Sequence, residues 1–261
     1  MTTGMTSNRQ AGANASALSA STTSLRRSPL QSAITPHHPQ WVIIDGMSTA
    51  FQFDTKDAER MAALGIADLS FMFRCGLKGP HSVAWLTAQG LPIPQINSWE
   101  PLPGGGIIAR LGVTEFLIED SAGDSTAKQL ADALKTRPDG VYPVLRQDAS
   151  FAVTGAFLQT LLRQTCAMNF NVLDLSTRPL ALTSMVGVQV LVIPSELNEQ
   201  PLYRVWFDGT YADYLWQTLL GIAGEHGGGP VGLDCLMQKN AMQQNTRQHN
   251  SHHLIPQRSA R

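Results

Sequence analysis

The middle of the chain alternates between two kinds of hydrophobic pattern. In five segments apolar residues recur at helical spacing, as with Leu158, Leu161 and Leu162 on one predicted face. In six other segments β-branched and aromatic residues dominate, which is typical of strands. The predicted helices cover residues 54–64, 81–89, 125–135, 156–166 and 211–223. The predicted strands cover residues 73–78, 107–111, 115–119, 150–154, 184–194 and 202–207.

These elements follow the same order twice. Each copy has a strand, a glycine, a helix, a long connection, two strands and a final helix, and Gly79 aligns with Gly155 at an offset of 76 residues. The two late strands of each copy are joined too tightly for a parallel crossover. The sequence therefore predicts an α+β fold of internally duplicated strand-helix-strand-strand-helix units around antiparallel sheet, with repeats at residues 41–143 and 144–237.

Both ends of the chain lack apolar periodicity. Residues 1–40 are rich in Ser and Thr and contain no acidic residue, and residues 238–261 are polar and unpatterned. Such segments have little apolar area to offset the entropy of ordering them, so both are predicted to be disordered. The leader, with its Arg26-Arg27 pair, also resembles an organelle transit peptide in composition.

Charge and cysteine usage exclude several classes of protein. All 20 acidic residues lie between Asp45 and Asp234, together with 12 basic ones, which gives this stretch a net charge of -8. A body that acidic is a poor nucleic-acid binder, and no apolar run is long enough to cross a bilayer. The 3 cysteines are odd in number and far apart, which argues against a disulfide scaffold and a zinc site. A reducing cytoplasm is the expected location.

Two glycine-rich motifs spell known functional turns but lie in the wrong context. Residues 104–109 fit a dinucleotide-binding turn, which requires a preceding strand and a following helix, whereas a proline-rich loop precedes them and a predicted strand follows. Residues 226–229 spell an oxyanion loop, but the chain has no G-x-S-x-G nucleophile elbow. His81 and His226 are the only histidines of the predicted body. We therefore expect no catalytic residue and no metal site in this chain.

Large aromatic residues cluster near the end of the predicted body. The set runs from Tyr203 to Trp216 in a chain that is only 7 % aromatic. Strand alternation and helical spacing distribute these side chains over more than one face, so a single core cannot bury all of them. We interpret Trp206, Tyr214 and Trp216 as candidates for a protein interface.

The order of several short motifs resembles a known superfamily. The matching segments are Asp68-Leu69-Ser70, Gly76-Leu77-Lys78-Gly79-Pro80, Val83-Ala84-Trp85-Leu86, Arg146-Gln147-Asp148-Ala149-Ser150-Phe151, Asn169-Phe170 and Tyr211-Ala212-Asp213-Tyr214-Leu215-Trp216. The first three resemble the folate-binding aminomethyltransferase-like superfamily, which includes the glycine-cleavage T-protein. The later segments resemble the gamma subunit of heterotetrameric sarcosine oxidase. The chain departs from the T-protein in lacking its Arg-Asp-x-Leu-Arg-Leu-Glu-type segment, and Asn169 replaces an expected aspartate.

The resemblance implies a non-catalytic subunit with no flavin of its own. Its partners would be flavin-bearing alpha and beta subunits, and tetrahydrofolate and flavin would serve the complex, which oxidatively demethylates an N-methyl amino acid. An alternative is a stand-alone folate-binding protein, for which Asp68 and Asp148 are the candidate cofactor-binding residues. A structural adaptor for an unrelated partner is the third hypothesis.

Overall fold

The computed structural model describes residues 26–121, 123–197 and 200–237. The helices are α1 (Gln31–Ile34), α2 (Asp57–Leu64), α3 (Ser82–Ala88), α4 (Thr126–Leu134), α5 (Leu158–Thr165) and α6 (Ala212–Glu225). The first strands are β1 (Arg26–Arg27), β2 (Gln40–Ile44), β3 (Met47–Gln52), β4 (Gly65–Asp68), β5 (Arg74–Lys78), β6 (Ser98–Pro101) and β7 (Ile107–Arg110). The later strands are β8 (Glu115–Glu119), β9 (Tyr142–Val144), β10 (Ala149–Thr154), β11 (Ala181–Met185), β12 (Val188–Leu197), β13 (Gln200–Phe207) and β14 (Gly229–Pro230).

The strands form three sheets. A six-stranded sheet has the order β11-β12-β13-β10-β4-β14, a five-stranded sheet has the order β6-β7-β8-β5-β9, and a small sheet has the order β1-β3-β2. Neighbours in the five-stranded sheet are all antiparallel, and in the six-stranded sheet only the short β14 runs parallel to its neighbour. The predicted α+β class with antiparallel sheet is therefore confirmed.

The two larger sheets pack against each other and carry helices on their outer faces. Between the sheets, Ile107 and Leu117 of one sheet meet Leu191 and Trp206 of the other. The outer face of the six-stranded sheet is covered by α5 and α6, and that of the five-stranded sheet by α3 and α4. Each of these sheets is thus buried on both faces, which requires apolar residues at successive strand positions.

The strand orders of the two larger sheets correspond. The series β6-β7-β8-β5 in one sheet has the same sequence order and pairing as β11-β12-β13-β10 in the other. Gly79 and Gly155, which follow β5 and β10, have φ angles of 134° and 118°, in the region that favours glycine. A Cβ atom at either glycine would lie 2.5 Å or less from a backbone carbonyl oxygen. An internal duplication accounts for these correspondences and stays a prediction.

The start of the folded body lies earlier than the sequence predicted. Residues 26–40 were expected in the disordered leader, but they form β1, α1 and a 3₁₀ turn, and Leu30 and Ile34 are fully buried beside α6. Their burial offsets the cost of ordering the segment, which a composition argument cannot detect. The predictions for residues 1–25 and 238–261 lie outside the described residues. Within the described ranges, no helix has both the length and the hydropathy of a transmembrane span.

Candidate functional site

A cavity of about 660 Å³ lies where the amino-terminal segment crosses the five-stranded sheet. Its walls come from the segment around β1, the start of β3, the loop between β4 and β5, β5 itself, α4, β9 and the connection from β9 to β10. The lining residues are Arg26, Arg27, Pro29, Met47, Ser70, Met72, Phe73, Arg74, Cys75, Gly76, Ala131, Leu134, Pro143, Val144, Leu145, Arg146, Gln147 and Asp148. We call this cavity the arginine cavity, because four arginines and a single acidic residue line it.

The inner wall of the arginine cavity is held by a buried polar network. Arg74 donates from Nε to the Glu119 carboxylate at 2.6 Å, from Nη1 to the backbone carbonyl of Asp148 at 2.8 Å, and from Nη2 to Ser150 Oγ at 2.6 Å. Glu119 also accepts from Trp206 Nε1 at 2.6 Å. The guanidinium also donates to the Leu69 carbonyl. Because its N–H groups are bonded to other residues of the chain, Arg74 serves as a structural cation.

The network joins equivalent positions of the two larger sheets. Arg74 pairs with Glu119 in the register of β5 and β8, and Ser150 pairs with Trp206 in the register of β10 and β13. A buried charge is tolerated only where its hydrogen bonds are made, and here the partners come from both sheets. The polar junction therefore fixes how the sheets meet beside the cavity.

Of the two aspartates predicted to bind a cofactor, only Asp148 lines the arginine cavity. Its Oδ2 is buried and has no hydrogen-bond partner among the described residues. Burial raises the pKa of the Asp148 carboxyl, and the charges of Arg146 and Arg74 act in the opposite direction. Such a carboxylate gains by accepting a hydrogen bond from a ligand N–H group.

The Asp68 carboxylate is already hydrogen-bonded within the protein. Its carboxylate accepts a hydrogen bond from Ser28 Oγ at 2.5 Å and one from the backbone N–H of Ser70 at 2.8 Å. Burial raises its pKa, while these hydrogen bonds lower it. The Ser28 contact ties the amino-terminal segment to the end of β4. Asp68 is not among the residues that line the cavity, so the structure does not bring the two predicted aspartates together at one site.

Two further arginines, Arg146 and Arg26, line the cavity. Arg146 pairs with Glu115 through Nη2 at 2.6 Å, while its buried Nε has no partner among the described residues. The Arg146 side chain lies across Gly76, where a Cβ atom would come within 2.9 Å of Nε. Burial lowers the pKa of Arg26, the charge of Arg74 lowers it further, and the charge of Asp45 acts in the opposite direction. An anion in the cavity would favour the charged form of Arg26 as Asp45 does.

The groups most often used in covalent or acid–base catalysis are poorly placed around this cavity. Burial raises the pKa of the Cys75 thiol to about 11, which keeps it protonated at neutral pH. His81 is exposed and bonds the Asp139 carbonyl, and the ring of His226 stacks on Phe157 at the end of α6. No cluster suited to a metal ion occurs in residues 26–121, 123–197 or 200–237.

The three aromatic residues predicted to lie at an interface differ in burial. Trp206 is 3 % exposed between the two sheets, and Trp216 is fully buried under the six-stranded sheet, against Phe151. The prediction that these two tryptophans lie at a protein interface is therefore wrong. The six-stranded sheet has a separate hydrophobic core on each face, and each core buries one of them. Tyr214 is half-exposed, with its hydroxyl bonded to the Val186 carbonyl, and stays a candidate for an interface.

Comparison with known proteins places the fold. No protein-family model and no curated protein matches the sequence. The structure is similar to aminomethyltransferase T of the glycine cleavage system from Bartonella henselae, with a TM-score of 0.67 and 17 % identity over 81 % of this chain and 61 % of that chain. The chain thus spans about three fifths of the aminomethyltransferase.

A second similar structure is a chain of heterotetrameric sarcosine oxidase from Corynebacterium sp. U-96, determined in complex with pyrrole 2-carboxylate. The TM-score is 0.54, and the identity is 20 % over 79 % of this chain and 99 % of that chain. At sequence identities of 17 % and 20 %, the two structural similarities show a shared fold. The resemblance to T-protein-like proteins that the sequence suggested is confirmed at that level.

Proposed function

We propose that this protein is a non-catalytic, gamma-type subunit of a sarcosine-oxidase-like flavoenzyme complex. The complex would oxidatively demethylate an N-methyl amino acid and transfer the one-carbon unit to tetrahydrofolate. One observation carries the proposal. The matched sarcosine oxidase chain is covered almost completely, at 99 %, whereas the aminomethyltransferase is covered over 61 % of its length. The fold shared with the sarcosine oxidase chain thus takes in nearly the whole of that chain, which supports a place for this fold in a multi-subunit oxidase.

Residues 104–106, which could have suggested a flavin nucleotide site, do not support one in this chain. They lead directly into the strand β7 and do not open a helix, so they cannot cradle a pyrophosphate at a helix amino terminus. Under the proposal, flavin is held by partner subunits.

Purification of the tagged full-length chain from its native source tests the proposal. Flavin absorbance and N-methyl amino acid oxidase activity should co-elute with the tagged chain in stoichiometric amounts. Elution of the chain alone, while oxidase activity is recovered in other fractions, would contradict the proposal. The same purification with Tyr214→Ala is a more specific test, because the Tyr214 side chain is half-exposed. If Tyr214 lies in the subunit interface, the variant loses the flavoprotein partners and keeps its fold; Gln217→Ala on the same helix is the control.

The arginine cavity favours a second function, binding of a reduced folate by this chain itself. A pterin presents adjacent N–H groups, which suit the unpartnered carboxylate oxygen of Asp148. The glutamate tail of a folate is anionic and suits arginines. Met72 and Phe73 supply apolar wall for the rings.

Calorimetric titration of the purified chain with tetrahydrofolate tests this second function. We expect saturable binding that Asp148→Asn weakens by about tenfold or more, as is usual for a lost hydrogen bond to a charged group. Asp139→Asn is the matched control, since its side chain is 96 % exposed. Absence of binding heat, or equal affinity of the Asp148 and Asp139 variants, would refute it.

A further inference from the structure

Residues 26–29 cross one side of the arginine cavity as a short segment, which we call the strap. Arg26, Arg27 and Pro29 line the cavity, and most of the other lining residues belong to the five-stranded sheet, α4 and the connection that follows β9. These three strap residues are exposed, whereas Ser28 between them is buried. A segment with so little buried apolar surface belongs to the least stable part of a fold.

A short strand pairing and a buried hydrogen bond hold the strap in place. The pairing of β1 with β3 extends over two residues. Ser28 Oγ donates to the Asp68 carboxylate at 2.5 Å and accepts from the Leu30 N–H at 3.1 Å. Leu30, directly after the strap, is fully buried in the core beside α6. The bond from Ser28 to Asp68 therefore acts as a latch, and Leu30 is the fixed end of the strap.

The hairpin beside the strap is attached more firmly. Ile44 and Met47, on either side of the turn between β2 and β3, are buried in one core with Phe71. In the turn, Asp45 pairs with Lys128 of α4 at 2.6 Å. The hairpin is thus joined both to a core and to a wall of the cavity, so the strap can leave β3 while the hairpin stays in place.

We propose that the strap is a gate of the arginine cavity, which opens when Ser28 leaves Asp68 and β1 leaves β3 while Leu30 stays in the core. Few contacts are lost on opening. The Asp68 carboxylate keeps its hydrogen bond from the backbone N–H of Ser70 at 2.8 Å, and water replaces the lost partners of the strap. A ligand that contacts both the strap and the opposite wall would stabilise the closed state.

Cys75 reports the opening of the strap without any ligand. Its side chain lines the cavity and is 5 % exposed, so a thiol reagent larger than water reaches it only after a wall of the cavity moves. The full-length chain is treated with iodoacetamide under native conditions, and the labelling of Cys75 is followed by peptide mass spectrometry. Cys166 is the internal reference, since it is not among the residues that line the cavity.

Two variants loosen the strap in different ways. Ser28→Ala removes the latch and should raise the labelling rate of Cys75 by about tenfold, because a hydrogen bond to a charged group is lost. Ser32→Ala, at an exposed position of α1, is the matched control and should leave the rate unchanged. Pro29→Gly increases the freedom of the strap without removing a buried polar group. It should also raise the rate, and it replaces Ser28→Ala if that variant does not fold.

Urea separates opening of the strap from unfolding of the whole chain. Opening of a short segment exposes little surface, so the labelling rate of Cys75 should rise only slightly at urea concentrations that keep the chain native. Labelling through global unfolding would show the full urea dependence of the stability. That dependence, or an unchanged Cys75 rate in both Ser28→Ala and Pro29→Gly, would overturn the inference. Neither folate nor a partner subunit enters the experiment, so its outcome is independent of both proposed functions.

Discussion

Replacing Glu119 with glutamine would remove the negative charge from the junction of the two larger sheets without changing the size of the side chain. The carboxylate is fully buried and accepts hydrogen bonds from Arg74 and Trp206, both at 2.6 Å, and from Arg204 at 3.2 Å. Arg74 and Trp206 donate to Oε2 and Arg204 donates to Oε1, so a glutamine oxygen that keeps the first two donors places its amide N–H groups against the Arg204 guanidinium. Arg74, with a side chain only 3 % exposed, would stay buried without its counter-charge.

The expected loss of stability is large. Removing one partner of a buried ion pair costs about 3–5 kcal/mol, against roughly 5–15 kcal/mol for the stability of a whole domain. Urea unfolding of the full-length chain measures the difference, since the midpoint should fall with little change in slope. Asp132→Asn is the matched control: Asp132 pairs with Lys135 at the surface, where both side chains are over 70 % exposed, and its loss should cost less than about 1 kcal/mol.

A double variant tests the mechanism itself. Arg74→Met should be costly alone, but in the Glu119→Gln background it removes a cation that has already lost its partner. The two costs should therefore fall short of additivity by about 1 kcal/mol or more. A loss below about 1 kcal/mol for Glu119→Gln, or strict additivity in the double variant, would refute the assignment of a coupled buried network.

Four further outcomes follow from burial. Trp206→Ala and Trp216→Ala should each destabilise the isolated chain by about 3–5 kcal/mol in urea unfolding, because both side chains are buried within it. Ile34→Ala should cost about 2–5 kcal/mol, whereas a truly disordered leader would tolerate the change without loss. Asp148→Asn should stabilise the chain at neutral pH: burial raises the pKa of Asp148 in the folded state, so ionisation opposes folding, and the gain should vanish as the pH falls below about 4, where the unfolded carboxyl is protonated too. Cys75, with a thiol pKa of about 11, should react with iodoacetamide far more slowly at pH 8 in the folded chain than in urea, and equal rates would contradict its protection.

Local periodicity predicts the helices α2 to α6 and the strands β5, β7, β8, β10 and β13. It misses the other strands and joins β11 and β12 into one strand over residues 184–194, where the structure has a turn. In the predicted helix at residues 125–135, Ala127, Leu130, Ala131 and Leu134 form one apolar stripe. Ala127, Leu130 and Leu134 are buried in α4, and Ala131 packs half-buried against the same core. The amino-terminal segment was missed because its helix spans only Gln31–Ile34. A signal was nevertheless present, since Leu30, Ala33 and Ile34 have the spacing of one helical face. The Ser/Thr-rich composition of the region favoured disorder over this short helical pattern.

Long-range contacts were beyond prediction from local pattern. Nothing in the sequence brings Arg146 to Gly76 or Arg74 to Ser150, because these contacts depend on the pairing of β9 with β5 and on the packing of two sheets. The two candidate aspartates could not be ranked either. Their difference arises from Ser28, which occupies Asp68 and lies in the segment that was expected to be disordered.

The assumption of a single core explains the error over the tryptophans. Alternation along β13 puts Trp206 on the face opposite to Tyr203 and Val205, and the structure has these side chains in different cores. In a sheet with only one face packed on a core, one of these two sets of side chains would be exposed to solvent or covered by a partner. Because a second sheet covers the other face, Trp206 is buried within the chain and bonds Glu119.

The same junction couples stability of the fold to the shape of the arginine cavity. Arg74 holds the backbone carbonyl of Asp148 at 2.8 Å while its other donors bind Glu119 and Ser150. The position of Asp148 at the cavity wall is thus set by a cation whose own place depends on a carboxylate from the neighbouring strand. A change at Glu119 that leaves the chain folded should therefore still disturb recognition at Asp148, although Glu119 does not line the cavity. The interior polar groups are in this sense positioning residues: they stabilise the meeting of two sheets and orient the one acidic side chain that faces the cavity.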